Sequence, residues 1–263
     1  MASRFEVFLV GDDDEHLRAV GEAALEEVSR IERLLSRFDP ASEVSRLNRD
    51  AFKAPVRVDR ELFALLVEVR EWSGRTDGYF DPCATGLPGS SRFLDAVELD
   101  EATRSVRFLD RSARLDLGGY GKGSALDAAA RVLDEFGVTL ALMHGGTSSV
   151  LARGRQPDGS AWRVGLGEGG WVDLVDRALS TSASFRPGQA VSDLVDPVTG
   201  RPLDRSASCS VVAPSASAAE ALSTAFLAMG LSRAKGLVGS FLGVFAAWID
   251  EDGVEWIGEG RPR

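Results

Sequence analysis

The densest chemistry in the chain sits in Asp116-Leu-Gly-Gly-Tyr-Gly-Lys-Gly-Ser124, which combines a carboxylate, four glycines and a lysine. Glycines so spaced let backbone N–H groups come close to phosphate oxygens, and Lys122 adds a point charge. It is not a Walker A loop, because Gly123 follows the lysine. It also misses Gly-x-Gly-x-x-Gly, because Ser124 stands where the third glycine belongs. The same residues read equally as a tight strand-to-helix turn with an exposed lysine.

A second group lies in Ser217-Ala-Ala-Glu220-Ala-Leu-Ser-Thr224. Glu220 and Thr224 are four apart and share one face of a helix. A carboxylate and a hydroxyl so placed suit magnesium, a hard cation that takes oxygen ligands, keeps waters and shares phosphate oxygens with a substrate. Ser217-x-x-Glu220 is also a capping box, in which Glu220 reaches back to the Ser217 N–H and no metal is needed. Both readings stay open from spacing alone.

Three turns complete the set. Ser36-Arg-Phe-Asp-Pro40 and Gly78-Tyr-Phe-Asp-Pro82 each place aromatic residues beside Asp-Pro, where a ring can stack on a planar ligand or pack in a core. Asp196-Pro-Val-Thr-Gly-Arg-Pro202 reads as a rigid reversal, with Pro197 and Pro202 fixing φ and Gly200 free to take positive φ. His144, followed by Gly145 and Gly146, has no Cys or Asp partner at metal spacing and reads as structural.

The elements that must carry these groups follow from periodicity. Arg4 to Val10 alternates as a strand, and Leu17, Val20, Ala24, Val28, Ile31 and Leu35 recur as an amphipathic helix starting in the acidic run Asp12 to Glu15 and ending about Ser36. A polar connection with Ser42, Ser45 and Asn48 leads to a helix capped by Asp59 and running through Trp72. Thr76 to Ser91 reads as loop. Strands are expected at 97–99, 105–109 and 113–117, the last feeding the glycine turn and a helix that Gly137 stops. Further strands are expected at 140–143, 162–166, 178–183, 208–212, 244–249 and 255–257, with helices over 218–229 and from Ser232. Helices among strands that neighbour each other along the chain favour α+β over βαβ repetition.

With 44% hydrophobic residues and 27% charged, the chain has ample material for a core. A net charge of -10 argues against a general nucleic-acid binder, since polyanion affinity rests on Lys and Arg. An anionic ligand would need a local cation. Cys83 and Cys209 are isolated and read as free core thiols. Met1 to Val10 contains no apolar signal-peptide core, so a cytoplasmic protein without membrane insertion is expected.

In order and spacing, over nearly the whole chain, these pieces resemble the FAD:protein FMN transferase (ApbE) family. The resemblance is carried by Leu-Ser-Arg-Phe-Asp-Pro-x-Ser-Glu (35 to 43) with Leu47-Asn48, Gly-Tyr-Phe-Asp-Pro (78 to 82), Asp-Leu-Gly-Gly-Tyr-Gly-Lys-Gly (116 to 123) and Gly145-Gly146. Ser180-Thr-Ser182, Asp-Pro-x-Thr-Gly-x-Pro (196 to 202) and Glu-Ala-Leu-Ser-Thr-Ala (220 to 225) complete it. It implies an α+β fold of mixed, largely antiparallel sheets packed with helices, forming one domain over 1–263. It also implies that Asp116 and Lys122 contact FAD, and that Met1, Phe38, Tyr79, Phe80, Asp81 and Leu194 line the flavin nucleotide. Magnesium would be held by the Gly119 backbone oxygen, Glu220 and Thr224. The implied reaction moves FMN from FAD to a Ser or Thr hydroxyl of an acceptor protein and releases AMP, with Lys122 and Asp193 as catalytic groups. Family members carry Asp where this chain has Glu220, and Ser-His-Ile-Ile-Asp-Pro where it has Ser192-Asp-Leu-Val-Asp-Pro197. A carboxylate is ordinarily a weaker base than the imidazole it would replace there. The same site admits two other outcomes, FAD binding without transfer and hydrolysis of FAD to FMN and AMP.

Overall fold

The computed structural model describes residues 3–84, 91–185, 189 and 191–259. Its helices are α1 (Asp14–Leu35), α2 (Glu43–Asp50), α3 (Arg60–Arg75), α4 (Phe93–Ala96), α5 (Gly118–Glu135), α6 (Ala216–Met229) and α7 (Leu231–Leu237). The first strands are β1 (Phe5–Val10), β2 (Val56–Arg57), β3 (Val97–Asp100), β4 (Ser105–Phe108), β5 (Leu140–Gly145), β6 (Ser149–Arg153) and β7 (Trp162–Gly165). They are followed by β8 (Trp171–Leu174), β9 (Arg177–Ala183), β10 (Val195–Asp196), β11 (Arg201–Pro202), β12 (Ala207–Ala213), β13 (Phe245–Asp250) and β14 (Gly253–Gly258).

Seven strands form the main sheet in the order β1-β5-β6-β9-β12-β13-β14. Each pairing within it is antiparallel, as are those of the small sheets β2-β4-β3, β7-β8 and β10-β11. Alternation sends successive side chains to opposite faces. Leu151, Val211 and Ala246 join the helix-side core, while Val150, Val212 and Ala247 pack with Trp162, Val172 and Leu174 of the β7–β8 hairpin on the other face. Helices α5 and α6 lie against the first face, and α1 packs on α5.

The long helices start where their caps predict. Asp13 accepts from His16 N at 3.0 Å and Asp59 from Glu61 N at 2.8 Å. The buried stripe of α1 is Val20, Ala24, Val28, Ile31 and Leu35. The expected reversal at 196–202 is the β10–β11 hairpin, with Gly200 at φ +67 and its N–H bonded to Asp196 O at 2.8 Å.

Four expectations give way. The polar connection with Ser42, Ser45 and Asn48 is helical: Ser42 caps α2, whose buried face is only Val44 and Leu47, too short a period to read. Residues 113–117 are not a strand. Asn48 replaces a pairing strand there, giving its side-chain N–H to Leu115 O at 2.9 Å and accepting Leu115 N at 2.7 Å. There is no glycine turn either. Gly118, Gly119, Gly121 and Gly123 are already helical, and none has positive φ.

Helix packing accounts for the last of those glycines. A Cβ on Gly123 would lie 2.5 Å from the Ala216 carbonyl carbon and 2.7 Å from Ser217 N. Gly123 is therefore where the backbones of α5 and α6 touch, a close approach only glycine permits. The capping box fails at the same junction. The N-cap of α6 is Ser215, which accepts from Ala218 N at 3.2 Å, and Ser217 N donates instead to Asp127 of α5 at 2.9 Å. Glu220 sits one turn further in.

Candidate active site

The α5–α6 contact places the first turns of α5 against the middle of α6, beside the ends of β6 and β9. Every residue of α6 is buried except Thr224, which is half-buried. Glu220 points inward at 2% exposure and has three donors. Lys122 Nζ lies 2.6 Å from Oε1, Ser149 Oγ donates to Oε1 at 2.7 Å, and Gly123 N donates to Oε2 at 2.9 Å. An ionised carboxylate this deep is stable only when paired and hydrogen-bonded, and these three contacts meet both needs. The Lys122 side chain is 18% exposed, far less buried than its partner.

Thr224 follows one turn later. Its Oγ1 is 3.3 Å from Ser182 Oγ, which is 2.9 Å from Ser223 Oγ. Thr224 Oγ1 is also 3.4 Å from where a Cβ on Gly119 would stand, so the two positions adjoin. An α-helix pairs the Gly119 carbonyl with the Gly123 N–H, and that N–H donates to Glu220 here. With two lone pairs, the Gly119 carbonyl has acceptor capacity beyond a single helical hydrogen bond. Carbonyl, hydroxyl and one carboxylate form an all-oxygen set of the kind magnesium accepts. Among the described residues no three His, Cys, Asp or Glu side chains converge as a metal cluster.

At the rim, Asp116 Oδ1 accepts from Gly118 N at 2.9 Å and its Oδ2 is 2.9 Å from Arg37 Nε. The Arg37 guanidinium stands 4.3 Å from the centroid of the Phe38 ring, itself 76% exposed. Leu194 packs against the core edge, and its carbonyl accepts from Leu203 N at 2.9 Å. Asp193 is exposed on the segment before it, accepting from Gln189 Nε2 at 2.9 Å.

The Gly78-to-Pro82 segment divides. Tyr79 is half-buried, with Arg233 donating to its hydroxyl at 2.6 Å beside a cavity of about 340 Å³. Phe80 is buried against Tyr120, ring centroids 5.9 Å apart. Asp81 accepts from Cys83 N at 2.8 Å and Phe93 N at 3.1 Å, and burial holds its carboxyl above the ordinary aspartate range. Both thus hold the loop onto the body of the protein. Met1 lies outside the described residues. His144 of β5 is half-buried against Phe8 of β1, and its burial lowers its pKa.

A cavity of about 580 Å³, lined in part by Glu68, Asp127, Arg131 and Ser217, contains none of these groups. Ser149 and Asp127 were invisible to motif reading because their partners lie 71 and 89–90 residues away. Arg37 lay in plain view between Ser36 and Phe38.

Residues 1–249 match the model of the ApbE family. The chain belongs to the ApbE family. Curated relatives of this ApbE chain include FAD:protein FMN transferases of Chlamydia trachomatis, 27% identical over 74% of this chain and 71% of the relative, and of Treponema pallidum, 28% identical over 88% and 78%. The ApbE protein of Thermotoga maritima superposes with a TM-score of 0.82 at 25% identity, covering 95% of this chain and 93% of that one. The flavin transferase ApbE of Vibrio cholerae shares the fold, with a TM-score of 0.80 at 20% identity over 97% and 93%.

Proposed function

We propose that this chain is an FAD:protein FMN transferase that moves FMN from FAD to a Ser or Thr hydroxyl of an acceptor protein. The observation that carries the reading is the junction of α5 and α6 in an ApbE-family fold. It gathers Gly119, Lys122, Glu220 and Thr224 into one oxygen-rich site with a single lysine, a combination suited to a pyrophosphate and its counter-cation.

Gly119, Glu220 and Thr224 would hold magnesium. Bound there, the ion supplies charge neutralisation for the pyrophosphate. Lys122 contributes a second positive charge, Asp116 and Phe38 face the nucleotide from the rim, and Tyr79 and Leu194 border it. In the reaction the acceptor hydroxyl oxygen bonds to the FMN phosphorus as the phosphorus–oxygen bond to AMP breaks. The hydroxyl proton passes to Asp193, and AMP leaves with the bridging oxygen. With little covalent work for the protein, positioning and electrostatics supply the catalysis. No described helix is long and apolar enough to cross a membrane.

Incubation with FAD, magnesium and an acceptor protein tests the reading. Flavin fluorescence that stays on the acceptor through denaturation is the expected result. Free FMN with AMP would instead mark a hydrolase, and recovery of intact FAD in the presence of bound enzyme would mark a binding protein.

A further inference from the structure

Glu220 faces two demands at once. Its Oε1 already takes Lys122 Nζ at 2.6 Å and Ser149 Oγ at 2.7 Å, and its Oε2 takes Gly123 N at 2.9 Å. A divalent ion sharing Glu220 with Gly119 and Thr224 would stand beside the Lys122 ammonium. Like charges a few ångströms apart in so dry a site repel strongly. The two partners of the pair are not equally committed. Glu220 is 2% exposed and held from both sides by Ser149 and Gly123, whereas Lys122 is 18% exposed on a flexible stem.

We propose that Lys122 is the resident counter-ion of Glu220 and is exchanged for the divalent cation when the phosphates of FAD draw its ammonium away, so that FAD and magnesium each tighten the binding of the other. The inference rests on the magnesium–FAD reading above. In the free protein the buried carboxylate is neutralised by lysine. In the loaded protein it is neutralised by the metal while lysine meets phosphate, so no state leaves a buried charge alone. Ser149 and Gly123 are the positioning groups that keep the carboxylate in place during the exchange. Linkage requires the factor by which FAD tightens magnesium to equal the factor by which magnesium tightens FAD.

Calorimetric titration of magnesium into the full chain, with and without saturating FAD and with no acceptor, tests this on wild type and Lys122→Met. In wild type, FAD should tighten magnesium on the order of ten-fold or more. Lys122→Met should bind magnesium without FAD on the order of ten-fold more tightly than wild type does. That ratio should persist in about 1 M salt, where a Debye length of about 3 Å removes through-space effects but not displacement of a contact. Equal affinities of the two proteins without FAD, or a ratio that vanishes in high salt, would overturn the exchange and leave the transferase reading to its own assay. Failure of wild type to bind magnesium even with FAD would overturn both. Should the variant not fold, the wild type still decides. The chain has three lysines, Lys53, Lys122 and Lys235, and the other two pair with Asp50 and Glu255. In lysine-labelled protein the Lys122 side-chain NMR signal should move on adding FAD with magnesium while the other two stay, and an unmoved Lys122 signal refutes the exchange.

Discussion

Replacing Gly123 by alanine should destabilise this protein, although the same change in an open helix stabilises one. Propensity alone favours alanine by about 1 kcal/mol. Against it, the new Cβ would stand 2.5 Å from the Ala216 carbonyl carbon and 2.7 Å from Ser217 N. That is about 1 Å short of ordinary contact, and the obstacle is backbone that cannot rotate aside. Overpacking of this kind costs about 1–3 kcal/mol. Parting the helices also stretches the Gly123 N–H bond to Glu220, and hydrogen bonds to charged groups contribute about 1.5–3 kcal/mol. The expected net loss is about 2 kcal/mol or more. Gly74 is the internal control, a glycine of α3 with nothing within 4 Å of its added Cβ. Gly74→Ala should gain about 0.4–1 kcal/mol. Urea denaturation of the two variants reads both signs, as midpoint shifts at constant slope. Transfer by Gly123→Ala should fall on the order of a hundred-fold, since a misplacement near 1 Å suffices for that. Equal responses of the two glycines, or a Gly123→Ala protein as stable as wild type, would refute the close-approach account.

Ser149→Ala removes a donor from a buried charge and should cost about 1.5–3 kcal/mol in the same denaturation assay; a loss under about 0.5 kcal/mol, the level of an ordinary surface substitution, would deny it a role in holding Glu220. Asp193→Ala should lower the transfer rate by about 10²-fold or more while leaving the FAD dissociation constant unchanged, and an unchanged rate removes Asp193 as the base. Burial holds the Asp127 carboxyl above the ordinary range despite donation from Ser217 and Ala216. The folded state therefore keeps that proton to higher pH than the unfolded chain, and the group's contribution to stability falls as pH rises from about 4 through the raised value. The stability of wild type relative to Asp127→Asn should decline across that window, and a difference independent of pH would refute the assignment. Burial also pushes the Cys209 thiol up to about 12 and raises that of Cys83. A thiol reagent at pH 8 should label both cysteines only in denaturant, and fast labelling of the native protein would contradict their burial.

These experiments bear on one arrangement, two helices crossing closely enough for a carboxylate on α6 to meet the backbone and the lysine of α5. The sheet beneath supplies Ser149 and Ser182 from the ends of neighbouring strands. The same helix pair is locked from its other side by Asp127, which accepts Ala216 N at 2.8 Å and Ser217 N at 2.9 Å. Precision at the site is thus inherited from packing of the whole α5–α6 interface, which is why a methyl group at Gly123 is expected to reach both stability and chemistry.

Local physics was legible in the residues themselves. The acidic start of α1, its apolar stripe, the Asp59 cap and the alternation of β1 each needed only neighbours along the chain, and so did the Gly200 reversal. Collinear motifs pointed to the family for the same reason, since they are local strings. The sequence could not reveal β6, because it is buried on both faces and lacks alternation. It could not reveal that Asn48 stands in for a strand at Leu115, or that Gly123 serves a helix crossing rather than a turn. Above all, spacing left Glu220 between cap and ligand, since Ser217-x-x-Glu220 satisfies one and Glu220-x-x-x-Thr224 the other. Tertiary structure removed the cap by starting α6 at Ser215 and Asp127, and then engaged the carboxylate with Lys122, Gly123 and Ser149. Those partners come from segments far apart in the chain, so only the packed fold could choose among them.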